Sequence, residues 1–126
     1  MYEVLVKSEF SAAHMLRGYK GKCENMHGHN WAVEAAVSST TLNKGGLLLD
    51  FRVLKDRLEK ILSRLDHKNL NKIAYFKKHN PTSENIAKYI FDMLVKNGIG
   101  PYRVSVWESD TSCATYYGKN RRGGAA

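Results

Sequence analysis

Residues 27–38 read HGHNWAVEAAVS, and this stretch decides the fold class. From residue 31 onwards apolar side chains occupy every second position. The side chains that share one face are Trp31, Val33, Ala35 and Val37. This period of two predicts a β-strand with one buried face.

The sequence on the amino-terminal side predicts a second strand. Residues 2–10 (YEVLVKSEF) alternate apolar and charged side chains, with Leu5 as the exception. Residues 11–29 contain three glycines and several basic side chains, and they predict a long loop. Long loops in small domains are usually functional or disordered, so this one is a candidate site region.

The middle of the chain predicts two helices. Asp50 is a candidate N-cap for an amphipathic helix that ends near residues 66–67. Residues 66–80 are polar and irregular, and Thr82 is the N-cap predicted for the second helix, which Gly98 ends. Residues 102–109 and 114–117 predict two more strands. The order β-β-α-α-β-β favours an α+β fold, with an antiparallel sheet and two helices on one face.

Length and composition limit the class of protein. The 126 residues favour one domain, residues 1–118, followed by a basic Gly/Ala-ended tail, residues 119–126. No apolar run could span a bilayer, the amino terminus lacks signal-peptide features, and two cysteines are too few for a disulfide framework. These features predict a cytoplasmic protein with no membrane partner. The net charge of +8 suggests an anionic partner, either nucleic acid or a phosphorylated small molecule.

Three of the five histidines form a candidate metal site. His27 and His29 point to the same side of an extended chain, and Gly28 between them leaves room for another group. His14 is expected just past the end of the first strand, where pairing of the two strands brings it back towards the other two. Three neutral imidazoles without a fourth protein ligand are typical of a catalytic zinc site with an open position.

Cys23 lies four residues before His27, and two interpretations of it remain open. Its thiolate could be a fourth zinc ligand, which would make a closed structural site. It could instead be a base or nucleophile whose pKa is lowered by the nearby metal.

Other polar residues are candidates for substrate or proton handling. Asp66 could stabilise a protonated His67 at the helix end, although the two could equally be a capping pair. Strand alternation places Glu108 on an apolar face, where its carboxylate needs a cation or a ligand with two N–H donors, unless the strand has already ended. Thr82 and Ser83 begin a helix and could bind an anion or a polar ring edge, or could simply cap it.

Five ordered motifs resemble the 6-pyruvoyl-tetrahydropterin synthase superfamily. They are residues 10–14 (FSAAH), 23–29 (CENMHGH), 65–71 (LDHKNLN), 81–85 (PTSEN) and 107–109 (WES). The resemblance covers nearly the whole chain. The three residues between Cys23 and His27 are similar to the bacterial and archaeal 6-carboxy-tetrahydropterin synthase branch.

The resemblance implies a tunnelling fold, in which subunit sheets join into a barrel in a trimer and two trimers stack as a hexamer. It implies the substrate 7,8-dihydroneopterin triphosphate, with 6-carboxy-5,6,7,8-tetrahydropterin, acetaldehyde and triphosphate as products on the route to a deazapurine such as preQ0, for queuosine or archaeosine. By motif position His14, His27 and His29 would hold Zn²⁺, and Cys23 would accept a proton. The remaining roles fall on Asp66 and His67 as a proton-handling pair, and on Glu108 as pterin anchor with Thr82 and Ser83 nearby.

Alternatives to this function also remain. One is triphosphate elimination of the pyruvoyl type, and another is an aldolase-like cleavage. A zinc-containing nucleic-acid-binding domain would fit the positive charge, although no recognition motif is present; a closed Cys-His₃ structural zinc protein would fit the ligand residues. The triphosphate has no motif of its own, and Arg17, Lys20 and Lys22 are candidates by location only.

Overall fold

The computed structural model describes residues 1–18 and 25–118, and a five-stranded sheet organises them. The elements are β1 (Tyr2–His14), β2 (His27–Ser39), α1 (Phe51–Leu62), β3 (Lys68–Asn69), a 3₁₀ turn (Leu70–Lys72), α2 (Ala74–Lys78), α3 (Ser83–Lys96), β4 (Arg103–Ser109) and β5 (Ser112–Tyr117). The strand order is β3-β1-β2-β4-β5.

The two long strands pair along their whole length. β1 and β2 are antiparallel from Tyr2 opposite Ser39 to His14 opposite His27. The first strand therefore continues four residues beyond the predicted end at residue 10, and the loop between the strands is shorter than the predicted 11–29. Small side chains at residues 11–13 gave no alternation for the sequence analysis to detect, but they fit a paired strand.

Both long helices lie on one face of the sheet, as predicted. α1 packs on β1, α3 packs on β4 and β5, and the two helices contact each other. The shared core holds fully buried side chains from every layer, among them Trp31 from β2, Leu58 from α1 and Ile90 from α3.

Both predicted N-caps are confirmed. Asp50 accepts a hydrogen bond from the Arg52 amide at 2.8 Å, and Thr82 accepts one from the Asn85 amide at 3.1 Å. Gly98 follows α3 with a φ of +83°, which suits a residue without Cβ.

The segment between the long helices differs from the prediction. α1 ends at Leu62 rather than near residues 66–67, and the polar region beyond it contains β3, the 3₁₀ turn and α2. β3 pairs parallel to β1, so the sheet is mixed rather than wholly antiparallel. Two residues are too few to show a period, and α2 is anchored by Phe76, which is fully buried, with Tyr75 partly buried beside it.

None of the helices in the described part of the chain is both long and apolar enough to cross a membrane.

Candidate metal centre and active site

Strand pairing assembles the three predicted histidines at one end of the sheet. His14 lies opposite His27, and Ala12 lies opposite His29. Since side chains two residues apart and directly opposite partners share a face, all three imidazoles project from the helix-covered face. His14 is the last residue of β1, not a loop residue beyond it, and its side chain is 1% exposed.

Backbone carbonyls fix the tautomers of two of these rings. Nδ1 of His14 is 2.7 Å from the carbonyl oxygen of Pro81, and Nδ1 of His27 is 2.7 Å from that of Asn25. A carbonyl oxygen only accepts, so both Nδ1 atoms carry a proton, and in the neutral form of each ring the lone pair is on Nε2. The two Nε2 atoms lie only 3.1 Å apart. Two lone pairs at that distance repel each other unless a proton or another cation lies between them.

The third ring presents a buried nitrogen. Nε2 of His29 is inaccessible to solvent and has no hydrogen-bond partner among the residues that the structure describes. Burial lowers the pKa of both His14 and His29 below the usual histidine value, and the neighbouring imidazole of His27 lowers both further. Neutral imidazoles are the form that binds metal ions.

Glu108 completes a four-residue group. Its side chain projects from β4 on the same face as Val104 and Val106, as strand alternation predicted. Its Oε2 is 3.6 Å from Nε2 of His14 and 3.7 Å from Nε2 of His29. One ligand atom from each histidine and from Glu108 lies within 4.8 Å of all the others.

This geometry fits a metal ion. Nitrogens about 2 Å from one tetrahedral zinc ion are about 3.3 Å apart, close to the separation of the His14 and His27 nitrogens. Nδ1 hydrogen bonds to backbone carbonyls are the usual outer-shell partners of metal-binding histidines. The four residues could therefore hold a metal ion.

Trp31 packs against two of the three imidazole rings. It is fully buried, and the rings of His14 and His29 stand edge-on to it at centroid distances of 4.8 and 5.2 Å. Its indole N–H points to the carbonyl of Ala12 at 3.3 Å.

Asp66 and His67 are not among the four residues whose ligand atoms converge. Asp66 accepts a hydrogen bond from the Ser11 amide at 2.8 Å, which is the main cause of its lowered pKa, and its other oxygen is 3.0 Å from Nδ1 of His67. α1 has ended four residues before Asp66, so the expected helix-end position of the pair is wrong.

His67 is the unusual member of this pair. Its φ is +58°, a value that costs energy for a residue with a Cβ, and its side chain is 82% exposed. It borders an open cleft of about 560 Å³, and His29 and Asn30 also line that cleft. The two histidines therefore border one space from different elements.

The remaining candidate residues differ in whether they lie in the described part of the chain and in what they contact there. The hydroxyl of Thr82 caps α3, so ordinary capping is confirmed for it, and Ser83 is the first residue of that helix. Arg17 donates from Nη2 to the Phe76 carbonyl at 2.7 Å, which ties a predicted phosphate ligand to the protein itself. Cys23, Lys20 and Lys22 lie outside the described residues, as does the predicted tail, residues 119–126.

Two side-chain amides that anchor the segment after β1 were not predicted from the sequence. Asn71 binds both backbone groups of Met15 at 2.9 Å, and Asn80 binds both backbone groups of Arg17 at 2.9 and 2.8 Å. A cluster of asparagines in a polar segment was the available signal, because such side chains often bond to backbone groups.

The fold and the three-histidine group define a class of protein: α+β proteins that carry a potential metal centre at the end of an antiparallel strand pair. The family model of 6-pyruvoyl tetrahydropterin synthase matches residues 3–119, and the chain belongs to that family.

Individual relatives agree with this assignment. A 6-carboxy-5,6,7,8-tetrahydropterin synthase from Synechocystis sp. is 37% identical over 123 residues, covering 93% of this chain and 94% of that protein. A dihydroneopterin monophosphate aldolase from Pyrococcus furiosus is 36% identical over 110 residues, covering 85% and 90%. The solved 6-pyruvoyl tetrahydropterin synthase of Caenorhabditis elegans superposes with a TM-score of 0.85 at 30% identity, covering 94% and 96%.

Proposed function

We propose that this protein converts 7,8-dihydroneopterin triphosphate and one water molecule to 6-carboxy-5,6,7,8-tetrahydropterin, acetaldehyde and triphosphate with the help of zinc, in deazapurine biosynthesis in the cytoplasm. The observation that carries the proposal is the convergence of three imidazoles, two with Nε2 atoms 3.1 Å apart and one with a buried, unpartnered Nε2 among the described residues. The name of the Synechocystis relative supports the choice of reaction. The catalytic domain is residues 1–118.

Each group has a distinct role in this proposal. His14, His27 and His29 hold the ion, which supplies Lewis-acid polarisation of the substrate's side-chain oxygens when bound. Cys23 accepts a proton from the side chain of the substrate. Asp66 and His67 exchange a proton on the opposite face of that substrate side chain. Glu108 accepts hydrogen bonds from the paired N–H donors of the pterin ring.

Two related reactions start from the same kind of substrate, and the aldolase name of the Pyrococcus relative makes one of them the second candidate. An aldol-type cleavage removes the outer two side-chain carbons with the phosphate still attached. A pyruvoyl-type elimination releases triphosphate but keeps all three side-chain carbons. The proposed reaction releases acetaldehyde and triphosphate separately.

Mass spectrometry after incubation with zinc and either dihydroneopterin triphosphate or dihydroneopterin monophosphate tests the proposal. We expect a 6-carboxy pterin and free acetaldehyde from the triphosphate only. A phosphorylated two-carbon fragment would assign the aldolase reaction, and a three-carbon pterin product the pyruvoyl reaction. No turnover combined with salt-sensitive RNA binding would assign a nucleic-acid-binding function instead.

Glu108 offers a prediction that separates substrate binding from metal binding. We expect Glu108→Ala to retain zinc, because three histidines still hold it, and to bind the pterin about 100-fold more weakly, since charge-assisted hydrogen bonds contribute about 1.5–3 kcal/mol each. Zinc content and substrate affinity, measured on the same preparation, check this. Asp110→Asn, an exposed acidic position two residues along, is the control and should change neither. A metal-free Glu108→Ala protein would make Glu108 a fourth metal ligand instead.

We also propose that the chain assembles into a hexamer, as a dimer of trimers. β5 is an edge strand with one unpaired side, and edge strands of this kind are normally paired or covered. Light scattering at micromolar concentration should give six times the 14.3 kDa chain mass. A monomer mass under these conditions would refute the assembly.

A further inference from the structure

We infer that Asn80 is a positioning residue: it holds the Pro81 carbonyl against His14 and so fixes that ring for metal binding. The inference rests on the proposed metal site. It concerns a residue that touches neither the ion nor the substrate.

The Pro81 carbonyl is the only described group that fixes the His14 ring through Nδ1. The two atoms are 2.7 Å apart, and His14 and Pro81 are separated by 67 positions in the chain. Loss of this acceptor would free the Nδ1 proton to move to Nε2. A protonated Nε2 has no lone pair for a metal ion.

The Pro81 carbonyl shares a peptide plane with the Thr82 amide, and that amide donates to the Asn80 carbonyl, so the position of Asn80 sets that of the Pro81 carbonyl. The Asn80 side chain is in turn fixed on the segment that follows β1. Its Oδ1 accepts from the Arg17 amide at 2.9 Å, and its Nδ2 donates to the Arg17 carbonyl at 2.8 Å. Its own carbonyl accepts from the Thr82 amide at 2.8 Å and from Nδ2 of Asn85 at 2.9 Å.

These contacts form a closed path from the end of β1 to the start of α3. Arg17 lies three residues after His14, and it is bound by the side chain of Asn80, the residue directly before Pro81. The carbonyl of Pro81 then returns to the His14 ring. His14 is thus held both through its strand and through its ring, and Asn80 joins the two attachments.

Asn71 provides a matched control. It makes the same pair of side-chain hydrogen bonds to Met15, both at 2.9 Å, and so also anchors the end of β1. Its hydrogen bonds in the described structure go to Met15 and Asn69, and none goes to Pro81. Asn71→Ala and Asn80→Ala therefore remove equivalent anchors, and only the second releases the Pro81 carbonyl.

The test measures zinc affinity by competition with a chelator, together with the ¹⁵N shifts of the His14 ring in metal-free protein. We expect Asn80→Ala to weaken zinc binding by about 10- to 100-fold, the usual effect of losing an outer-shell partner. Its His14 shifts should move from a single Nδ1–H tautomer towards a mixture. Asn71→Ala should retain both the affinity and the single tautomer.

Two results would overturn the inference. Equal losses of affinity in both variants would show that the end of β1 matters and the Pro81 carbonyl does not. An unchanged affinity and tautomer in Asn80→Ala would exclude any positioning role. If Asn80→Ala fails to fold, Asn85→Ala, which frees only one bond to the Asn80 carbonyl, should shift the same two readouts in the same direction by less. If the unsubstituted protein binds no zinc, the proposed function fails, and the His14 tautomer in the variants still decides the inference.

Discussion

Replacing His27 by alanine is expected to remove the metal ion and the catalytic activity together. Only three imidazoles converge on the candidate centre, and the Nε2 of His27 is 3.1 Å from its nearest neighbour in that group. A zinc ion left with two histidines has lost a third of its protein ligands in the proposed open site. Metal content of the purified variant, compared with turnover of dihydroneopterin triphosphate, measures both effects at once.

His79→Ala is the matched control for this prediction. His79 is exposed and stacks on Tyr75 at a centroid distance of 4.6 Å. It belongs to none of the sequence motifs that predicted metal ligands. It should retain one metal ion per chain and normal turnover. A fully loaded and active His27→Ala protein would mean that the centre lies elsewhere.

Replacing Cys23 by alanine is expected to have the opposite combination of effects: retained metal and lost turnover. Three histidines bring their ligand atoms within 4.8 Å of one another and hold the metal ion in the proposed open site. In this proposal the thiol acts as a base and not as a ligand, so its loss should leave the metal in place. A general base typically contributes about 10²–10⁴-fold to the rate, and a loss of that size is expected.

The measurement for Cys23 is again metal content beside turnover, with substrate binding as a third readout. Cys113→Ala is the control, because Cys113 is an exposed thiol on β5 that has no proposed role. A metal-free Cys23→Ala protein would make the thiolate a fourth ligand and the centre a closed structural site.

The metal-binding group could be predicted from the sequence because it depends on strand periodicity. The i, i+2 spacing of His27 and His29 places them on one side of any strand, and antiparallel pairing of neighbouring strands brings His14 opposite them. Alternation with Val104 and Val106 also indicated the face of Glu108, although the β4–β5 pairing shifts register between Trp107 and Ser109.

The outer contacts could not be predicted because they depend on irregular backbone. Asn80 and Pro81 belong to the irregular segment between α2 and α3, and no period relates them to His14 or Arg17. The elements within residues 66–80 were missed for a similar reason: β3 has two residues and α2 has five, too few for either pattern to repeat twice. The position of His67 also depends on a left-handed φ, which the sequence does not predict at this residue.

The edge-on packing of His14 and His29 against Trp31 links the candidate metal centre to the hydrophobic core. The imidazoles are the last layer above a tryptophan that is completely buried, so their order and the order of the core depend on each other. An ion that binds only the folded chain therefore stabilises it by mass action, by about 2.7 kcal/mol when its free concentration is 100 times its dissociation constant. If the proposed centre binds its ion, the resistance of this protein to heat or urea is expected to depend on the metal supply, and a chelator should destabilise the whole fold as well as empty one site.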